Sequence, residues 1–337
     1  MFANLSVAKN MVIDCIHAGL VPYLQSSPGI GKSAIVKEIA QEYDLQLIDI
    51  RLSQLDPVDL NGFGAVQDGI AKYIPFDTFP LTTTPLPKGK NGWVLFLDEM
   101  SSAPPAIQAA AYKLVLDRMV GQAKLHSKVA IVAAGNLITD NAVVSPISTA
   151  LQSRVIHIKV AASLEDFKAW AYKNNINNNV ISFLNFKPDY LHKFDPDHDD
   201  CTFPCPRTWE FASRLLSNFN NLPDYAPVLF QGVVGAGVGL EFYTFLEIQR
   251  DLVTYDEIIA SPFGCRMPTE PSTQWALIGH IVSQVNAKDL PKALKFVERM
   301  PIEFQVIFVK DLKNKDASLM RTPEIQQWIN VNATRFR

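Results

Sequence analysis

Apolar residues recur along this chain in two rhythms, and the first 160 residues contain both. Short, nearly continuous apolar runs are typical of strands in a parallel sheet, whereas apolar residues three or four positions apart are typical of amphipathic helices. The runs lie at 20–24, 45–52, 93–99, 129–136 and 155–160, and the helical patterns lie at 6–18, 33–40 and 104–118. Because strands alternate with helices, the sequence predicts an α/β core with a parallel sheet between helices.

A different pattern separates the second predicted strand from the third. The apolar segments 65–66 and 70–74 flank Gln67-Asp68-Gly69, whose residue types are typical of a tight turn. The pattern predicts a β-hairpin inserted into the core. We expect the hairpin tip at 67–69 to be exposed, either as a contact for a partner or substrate or as a solvated turn.

After residue 160 the pattern becomes helical and stays so to the end of the chain. Ser163 and Asp166 have the spacing of a helix capping box. A polar stretch rich in proline and aspartate predicts a loop at 185–205. Near the C-terminus, helices are predicted at about 272–285, 290–299 and 302–312.

Composition narrows the class of protein. The chain has 337 residues, of which 48% are hydrophobic and 19% charged, as expected of a folded globular protein. The net charge of −3 without a basic block makes nucleic acid an unlikely partner. No apolar run approaches membrane-spanning length, so we expect no membrane segment. Four cysteines without a disulfide-framework spacing favour a reducing cytoplasm.

The first motif with clear chemistry is a glycine-rich turn between the first predicted strand and the next helix. Such a turn presents backbone N–H groups to phosphate, with a lysine for the β- and γ-phosphates and a serine hydroxyl for Mg²⁺. Ser26 departs from the usual pattern, because a glycine is expected there. The residues predicted to bind ATP are Pro28, Gly29, Ile30, Gly31, Lys32, Ser33 and Ala34.

The second motif is a pair of carboxylates at the end of the apolar run 93–99. A buried parallel strand would carry Asp98 and Glu99 to the carboxyl edge of the sheet. Asp98 is then expected to join Ser33 around Mg²⁺, and Glu99 to polarise an attacking water. The alternative is a structural turn beside an unrelated acidic strand end. Taken together, the two motifs predict a protein that binds and hydrolyses ATP.

The order of these and four further motifs resembles the MoxR-like group of AAA+ ATPases over about residues 15–250. The further matches are an insert after the second strand, a sensor 1 strand end, a segment with an arginine finger, and a sensor 2 helix. In this chain they are Asp59-Leu60-x-Gly62 with the hairpin 65–74, Ala134-Gly135-Asn136, Ala150-Leu151-x-Ser153-Arg154-Val155, and Pro204-x-Pro206-Arg207-Thr208-Trp209. The resemblance implies an AAA+ core at 1–160 and a helical lid at 161–261, followed by a helical C-terminal segment at 262–337.

The resemblance also implies roles for three polar residues. Asn136 would sense the γ-phosphate or the attacking water, with a capped strand end as the alternative. Arg154 would reach a neighbouring subunit's nucleotide, and the alternative is a surface salt bridge. Arg207 would couple the nucleotide state to the lid, with an ordinary helix surface as the alternative. An arginine supplied between subunits implies a homo-oligomeric ring, most often a hexamer in this superfamily.

Three functions of different classes are compatible with this core. The first is a chaperone-like ATPase that remodels or activates a partner protein, and the MoxR-like resemblance implies a partner with a von Willebrand factor A domain. The second is a nucleic-acid motor or loader, against which the net charge argues. The third is a scaffold that binds ATP without hydrolysis, against which the Asp98-Glu99 pair argues. A small-molecule kinase has no use for the sensor and finger motifs.

Overall fold

The computed structural model describes residues 1–140, 147–197, 199–248 and 252–332 and divides them into two units. The first unit contains residues 1–161 with a short stretch around 195–197. The second contains 162–194 and the described residues from 199 onward. The α/β pattern thus ends where the first unit ends.

The first unit is built on a five-stranded parallel sheet with the strand order β2-β5-β8-β1-β9. The strands are β1 (Pro22–Gln25), β2 (Leu45–Arg51), β5 (Gly92–Asp98), β8 (Val129–Gly135) and β9 (Ile156–Lys159). The side chains of β5 are buried as far as Leu97. The parallel pairing of all five strands confirms the predicted sheet. Burial on both faces explains why the strand sequences are nearly continuous apolar runs.

The helices of the first unit are α1 (Leu5–His17), α2 (Lys32–Glu42), α3 (Pro57–Asn61), α4 (Pro105–Asp117) and α5 (Thr149–Gln152). The three helices that the apolar spacing predicted are present as α1, α2 and α4, and two short helices that it did not predict, α3 and α5, contact α4. Asn4 caps α1 by accepting a hydrogen bond from the backbone N–H of Val7 at 2.9 Å. Pro105 occupies the first turn of the helix after β5, where a missing N–H costs nothing.

The predicted hairpin is present as β3 (Phe63–Gln67) and β4 (Ile70–Ile74), paired antiparallel. Asp68 and Gly69 form its turn with positive φ angles of 53° and 77°, which suits a tight hairpin. A second small hairpin, β6 (Met119–Val120) with β7 (Ala123–Lys124), was not predicted. Its two-residue strands are too short to show an alternating pattern.

The second unit is helical. Its elements are α6 (Leu164–Lys173), α7 (Asn178–Phe186), α8 (Pro206–Ser217), α9 (Ala226–Val234), α10 (Ala236–Ile248), α11 (Tyr255–Ala260), α12 (Pro271–Gln284), α13 (Leu290–Val297), α14 (Ile302–Lys315) and α15 (Pro323–Val331). The three predicted C-terminal helices are confirmed as α12, α13 and α14. The predicted loop 185–205 is partly wrong, because α7 runs to Phe186 and a 3₁₀ turn at Pro188–Leu191 buries Leu191.

A buried ion pair holds α6 against α14. Lys168 is 2% exposed and its Nζ lies 2.5 Å from Oδ1 of Asp311, which has no exposure. Asn185 donates from Nδ2 to the other carboxylate oxygen of Asp311 at 2.8 Å. Burial, followed by the nearby Asp311 carboxylate, raises the pKa of Tyr172. The pair joins residues assigned from the sequence to the lid (161–261) with residues assigned to the C-terminal segment (262–337).

Within the described residues, no helix is both long and apolar enough to cross a membrane.

Removal of one partner of the buried pair is expected to destabilise the second unit strongly. Asp311→Ala leaves the Lys168 ammonium buried beside a gap, which costs about 3–5 kcal/mol. Lys168→Met combined with Asp311→Leu should be more stable than Asp311→Ala alone by at least about 2 kcal/mol, because no buried charge remains. Chemical denaturation followed by tryptophan fluorescence measures this, since Trp170, Trp209, Trp275 and Trp328 lie in the second unit.

Arg214→Ala is the matched control. It breaks an exposed pair with Glu210 one helical turn away, and its effect should stay below about 1 kcal/mol. Equal losses for Asp311→Ala and Arg214→Ala would contradict the importance of the buried pair.

Candidate nucleotide-binding site

The glycine-rich turn lies between β1 and α2, at the carboxyl edge of the sheet. Gly29 and Gly31 have φ angles of 79° and 116°, in the left-handed region that favours glycine. Gly31 is the N-cap of α2, so the first N–H groups of that helix have no helical acceptors. A helix N-terminus behind a glycine turn is suited to an anion.

Lys32 lies in a setting made of oxygen atoms. It is 9% exposed, and its Nζ donates to the carbonyl and the hydroxyl of Ser26, each at 3.0 Å. It also donates to Oδ1 of Asn136 at 3.1 Å and to the Ser27 carbonyl at 3.5 Å. These four acceptors are uncharged oxygens, which a phosphate can replace.

Ser26 occupies the place where a glycine was expected without disturbing the turn. It is absent from the residues with positive φ, so its backbone does not require glycine. Its side chain is fully buried and turned towards Lys32. The departure from the usual loop pattern therefore adds an acceptor for Lys32.

Ser33 and Asp98 come together on neighbouring elements. The Ser33 hydroxyl donates to Oδ2 of Asp98 at 3.2 Å. A hydroxyl and a carboxylate are hard oxygen ligands, the kind that Mg²⁺ takes from proteins beside its waters and the substrate's phosphates. The described residues contain no cluster of three histidine, cysteine or acidic side chains arranged to hold a metal by themselves. The donor set fits Mg²⁺ that arrives with ATP.

Glu99 directly follows Asp98 and turns the chain. Its φ of 58° is in the left-handed region, which a non-glycine residue adopts at a cost of about 1 kcal/mol or more. The Glu99 N–H donates to Oδ1 of Asp98 at 2.8 Å, and this stabilises the turn. The two adjacent carboxylates thus have separate partners, as two different roles require.

Ser53 is a site residue that the sequence analysis missed. It lies in the 3₁₀ turn Leu52–Gln54 after β2, and its hydroxyl hydrogen-bonds Oε2 of Glu99. The contact depends on β2 being the neighbour of β5, which no local sequence signal reveals. Ser53 orients the carboxylate predicted to activate water.

Negative charge accumulates at this edge of the sheet. Partial burial raises the pKa of Asp49, and the carboxylates of Asp98 and Glu99 raise it further. The positive charges of Lys37 and Arg51 act in the opposite direction and lower it. Carboxylates that repel one another are stabilised by an added cation. This electrostatic setting agrees with the magnesium ligands proposed above.

Asn136 follows β8 and faces the same group of residues. Its side chain accepts from Lys32, and its backbone N–H donates to Oγ of Ser101 at 2.9 Å. The preceding residue must be glycine, because a Cβ on Gly135 would lie 2.4 Å from Oη of Tyr23 and 2.7 Å from Oγ of Ser101. The backbone that presents Asn136 is therefore tightly packed.

The structure does not bring Arg154 to the residues around Lys32. Its Nη1 donates to the Ala150 carbonyl at 2.7 Å and to Oγ of Ser153 at 2.9 Å. Its guanidinium carbon lies 4.8 Å from the ring centroid of Tyr112, a cation–π contact. Arg154 is exposed. Arg207, in the second unit, is exposed in the first turn of α8.

Comparison with known families agrees with this geometry. Residues 22–158 match the family of ATPases associated with various cellular activities, abbreviated AAA. Over this segment the α/β core is similar to an AAA ATPase domain. The matched segment includes Lys32, Asp98 and Asn136 and ends within β9. A domain of this family binds nucleotide and, in general, hydrolyses ATP.

No curated protein matches this chain. Among solved structures, NtrX of Brucella abortus is 13% identical over 91% of this chain and 68% of that chain, with a TM-score of 0.40. The same protein in complex with ADP is 15% identical, with a TM-score of 0.38 over 95% and 70% of the two chains. A RuvB variant of Thermotoga maritima is 15% identical over 77% and 74%, with a TM-score of 0.39.

Lys32→Ala is expected to weaken nucleotide binding. It removes an ammonium whose hydrogen bonds to phosphate are charge-assisted, worth about 1.5–3 kcal/mol, so affinity should fall about ten- to a hundredfold. Titration with a fluorescent ATP analogue in the presence of Mg²⁺ measures the change.

Two further variants serve as comparisons for Lys32→Ala. Lys37→Ala removes an exposed lysine from the same helix and should bind the analogue as the wild type does. Glu99→Gln should bind it fully but fail to hydrolyse ATP. Unchanged affinity of Lys32→Ala would show that the glycine-rich turn is not the phosphate site.

Proposed function

We propose that this protein is a MoxR-like AAA+ ATPase that uses ATP and Mg²⁺, assembles into a ring and remodels or activates a partner protein. The observation that carries the proposal is the meeting of Lys32, Ser33, Asp98 and Asn136 at the carboxyl edge of the sheet. A lysine, magnesium ligands and a polar sensor are the parts that phosphoryl transfer to water needs.

Each of these residues has a definite part in the proposed reaction. The N-terminus of α2 and Lys32 would bind the phosphates. Ser33 and Asp98 would hold Mg²⁺, whose positive charge would offset the charge on the phosphate oxygens. Glu99, oriented by Ser53, polarises the water and accepts its proton. Asn136 hydrogen-bonds the γ-phosphate or the water.

We assign Arg154 to the nucleotide of a neighbouring subunit. Its contacts with Ala150, Ser153 and Tyr112 keep it at the surface, which supports a role outside its own site. A guanidinium is always charged and spreads its donors over several phosphate oxygens, which suits this task. Arg207 would couple the nucleotide state to movement of the lid. Both arginine roles rest on the MoxR-like resemblance.

The hairpin supports a protein as the partner. Phe63, Val66 and Ile70 are 64%, 77% and 60% exposed, and Val66 and Ile70 flank the turn of β3–β4. In the register of this hairpin Phe63 and Ile70 lie on one face and Val66 on the other, so both faces expose apolar side chains of the kind that bind polypeptides. Apolar side chains make no electrostatic contact with the phosphates of a nucleic acid, and the net charge of −3 also argues against a nucleic-acid partner. A protein with a von Willebrand factor A domain is the first partner to test.

The ring proposal predicts that ATPase activity depends on protein concentration. A site completed by a neighbour exists only in assemblies, so the rate per chain should rise as rings form. Steady-state hydrolysis with particle mass followed in parallel, with and without ATP, measures both quantities. A constant rate per chain from a monomer would contradict the shared site, and strong stimulation by DNA that salt abolishes would favour the nucleic-acid motor.

Arg154→Ala should assemble normally but hydrolyse slowly, by roughly a thousandfold if it is the finger. Mixing it with Lys32→Ala should restore turnover, because some interfaces then combine an intact nucleotide site with an intact arginine. Arg214→Ala, an exposed arginine of the second unit, is the control and should hydrolyse at the wild-type rate. Full activity of Arg154→Ala alone would rule out the assignment.

A further inference from the structure

A row of polar side chains in the first unit runs from Asn136 to the end of α5. It begins where the Asn136 N–H donates to Oγ of Ser101 at 2.9 Å. The Tyr23 hydroxyl lies beside Oγ of Ser101, where both atoms pack against Gly135, and Tyr23 lines the same cavity as Gln25. Burial raises the pKa of Tyr23 above its usual value, so this hydroxyl keeps its proton and can donate.

His157 on β9 completes the row. Its Nδ1 lies 3.2 Å from Oε1 of Gln25, and its Nε2 lies 3.0 Å from the carbonyl of Gln152, the last residue of α5. The imidazole also packs edge-on against the ring of Tyr23, with centroids 5.6 Å apart. His157 thus connects β1 with the helix end that precedes Arg154.

Donor and acceptor chemistry gives the row a direction. The Gln152 carbonyl can only accept, so Nε2 of His157 carries a proton. In the neutral ring Nδ1 then accepts, and a half-turn of the Gln25 amide offers it an N–H while the amide oxygen faces the Tyr23 hydroxyl. With the amide in that orientation, each member of the row can donate to the next from Asn136 to Gln152.

The row lines one cavity of about 230 Å³, whose walls include Tyr23, Gln25, Ser101, Asn136, Gln152 and His157. The end of the row at Asn136 is crowded, because a Cβ on Gly135 would have no room beside Tyr23 and Ser101. A small shift of the Asn136 backbone must therefore move these side chains.

At its other end, Gln152, the row contacts the short helix α5. Helix α5 has four residues, and Gln152 also ties it to the Ile147 carbonyl through Nε2 at 2.8 Å. Arg154 follows at once and donates to the carbonyl of Ala150 within the same helix. Gln152 and the carbonyl that holds the Arg154 guanidinium thus belong to the same four-residue helix.

We propose that Tyr23 and His157 are positioning residues for Arg154, which connect the sensor Asn136 to the arginine that a subunit offers its neighbour. The inference rests on the proposed function, since it needs Arg154 to act in a neighbour's site. Neither side chain touches the nucleotide in this proposal. Loss of the row should change the arginine given to the neighbour and leave the subunit's own site intact.

The test places one substitution in either of two chains. A mixture of Lys32→Ala, which donates the arginine, and Arg154→Ala, which holds the active nucleotide site, is the reference. His157→Leu added to the Lys32→Ala chain should lower the restored turnover at least about fivefold, the lower range of coupling between sites. His157→Leu added to the Arg154→Ala chain should change neither the turnover nor the KM for ATP.

Further variants separate position from packing. His157→Gln keeps an acceptor and a donor and should recover part of the turnover that His157→Leu loses. Tyr23→Phe removes a single hydroxyl from the middle of the row, and it should reproduce the dependence on placement even if His157→Leu folds poorly. Tyr43→Phe, an exposed tyrosine of the same unit, is the hydroxyl control and should change nothing.

Three outcomes would count against the proposal. Equal losses in both placements would show a structural role, and no loss in either would show that the row does not position Arg154. Absence of turnover in the reference mixture would overturn the shared site itself and the positioning role with it. That failure is distinguishable, because it appears before Tyr23 or His157 is changed.

Discussion

The parallel hydrogen-bonded pairing of β5 and β8, and of β8 and β1, is the constraint on which the rest of the site depends. Parallel strands end at the same edge, so the residues that follow β1, β5 and β8 must meet there. The turn that holds Lys32, the carboxylate of Asp98 and the amide of Asn136 are brought together in this way. None of the three is near another in sequence, and a change in strand order would separate them.

The charged side chains of the site are arranged to favour binding of a nucleotide with its magnesium ion. Lys32 is held by uncharged oxygens of Ser26, Ser27 and Asn136. Exchange of these acceptors for phosphate oxygens places a negative charge opposite the ammonium, and hydrogen bonds between two ionised groups are short and strong. On the other side of the site, partial burial, followed by the carboxylates of Asp98 and Glu99, raises the pKa of Asp49. An anion is favoured at Lys32 and a cation at Asp98, only a short distance along the same edge.

The sequence analysis found what local patterns can reveal. The glycine turn and the strand ending in Asp98 are each contiguous, so spacing and apolar character were enough to predict them and the parallel sheet. Ser53, Tyr23 and His157 escaped because their importance depends on which strands are neighbours, and strand order is a property of the folded sheet. The loop predicted at 185–205 was partly wrong because its composition is polar, although Leu191 packs into the core of the second unit.

The buried Lys168–Asp311 ion pair and the polar row from Asn136 to Gln152 differ in what they can contribute to structure and to movement. Desolvation of Lys168 and Asp311 offsets much of their attraction, so their net contribution to stability over an apolar pair is small. The pair instead restricts how α6 and α14 can pack, because any other alignment leaves a buried charge without its partner. The row from Asn136 to Gln152 instead lies beside a cavity, so its members have room to shift. A buried ion pair is therefore suited to hold two helices in one arrangement, and a hydrogen-bonded row beside a cavity is suited to transmit a displacement.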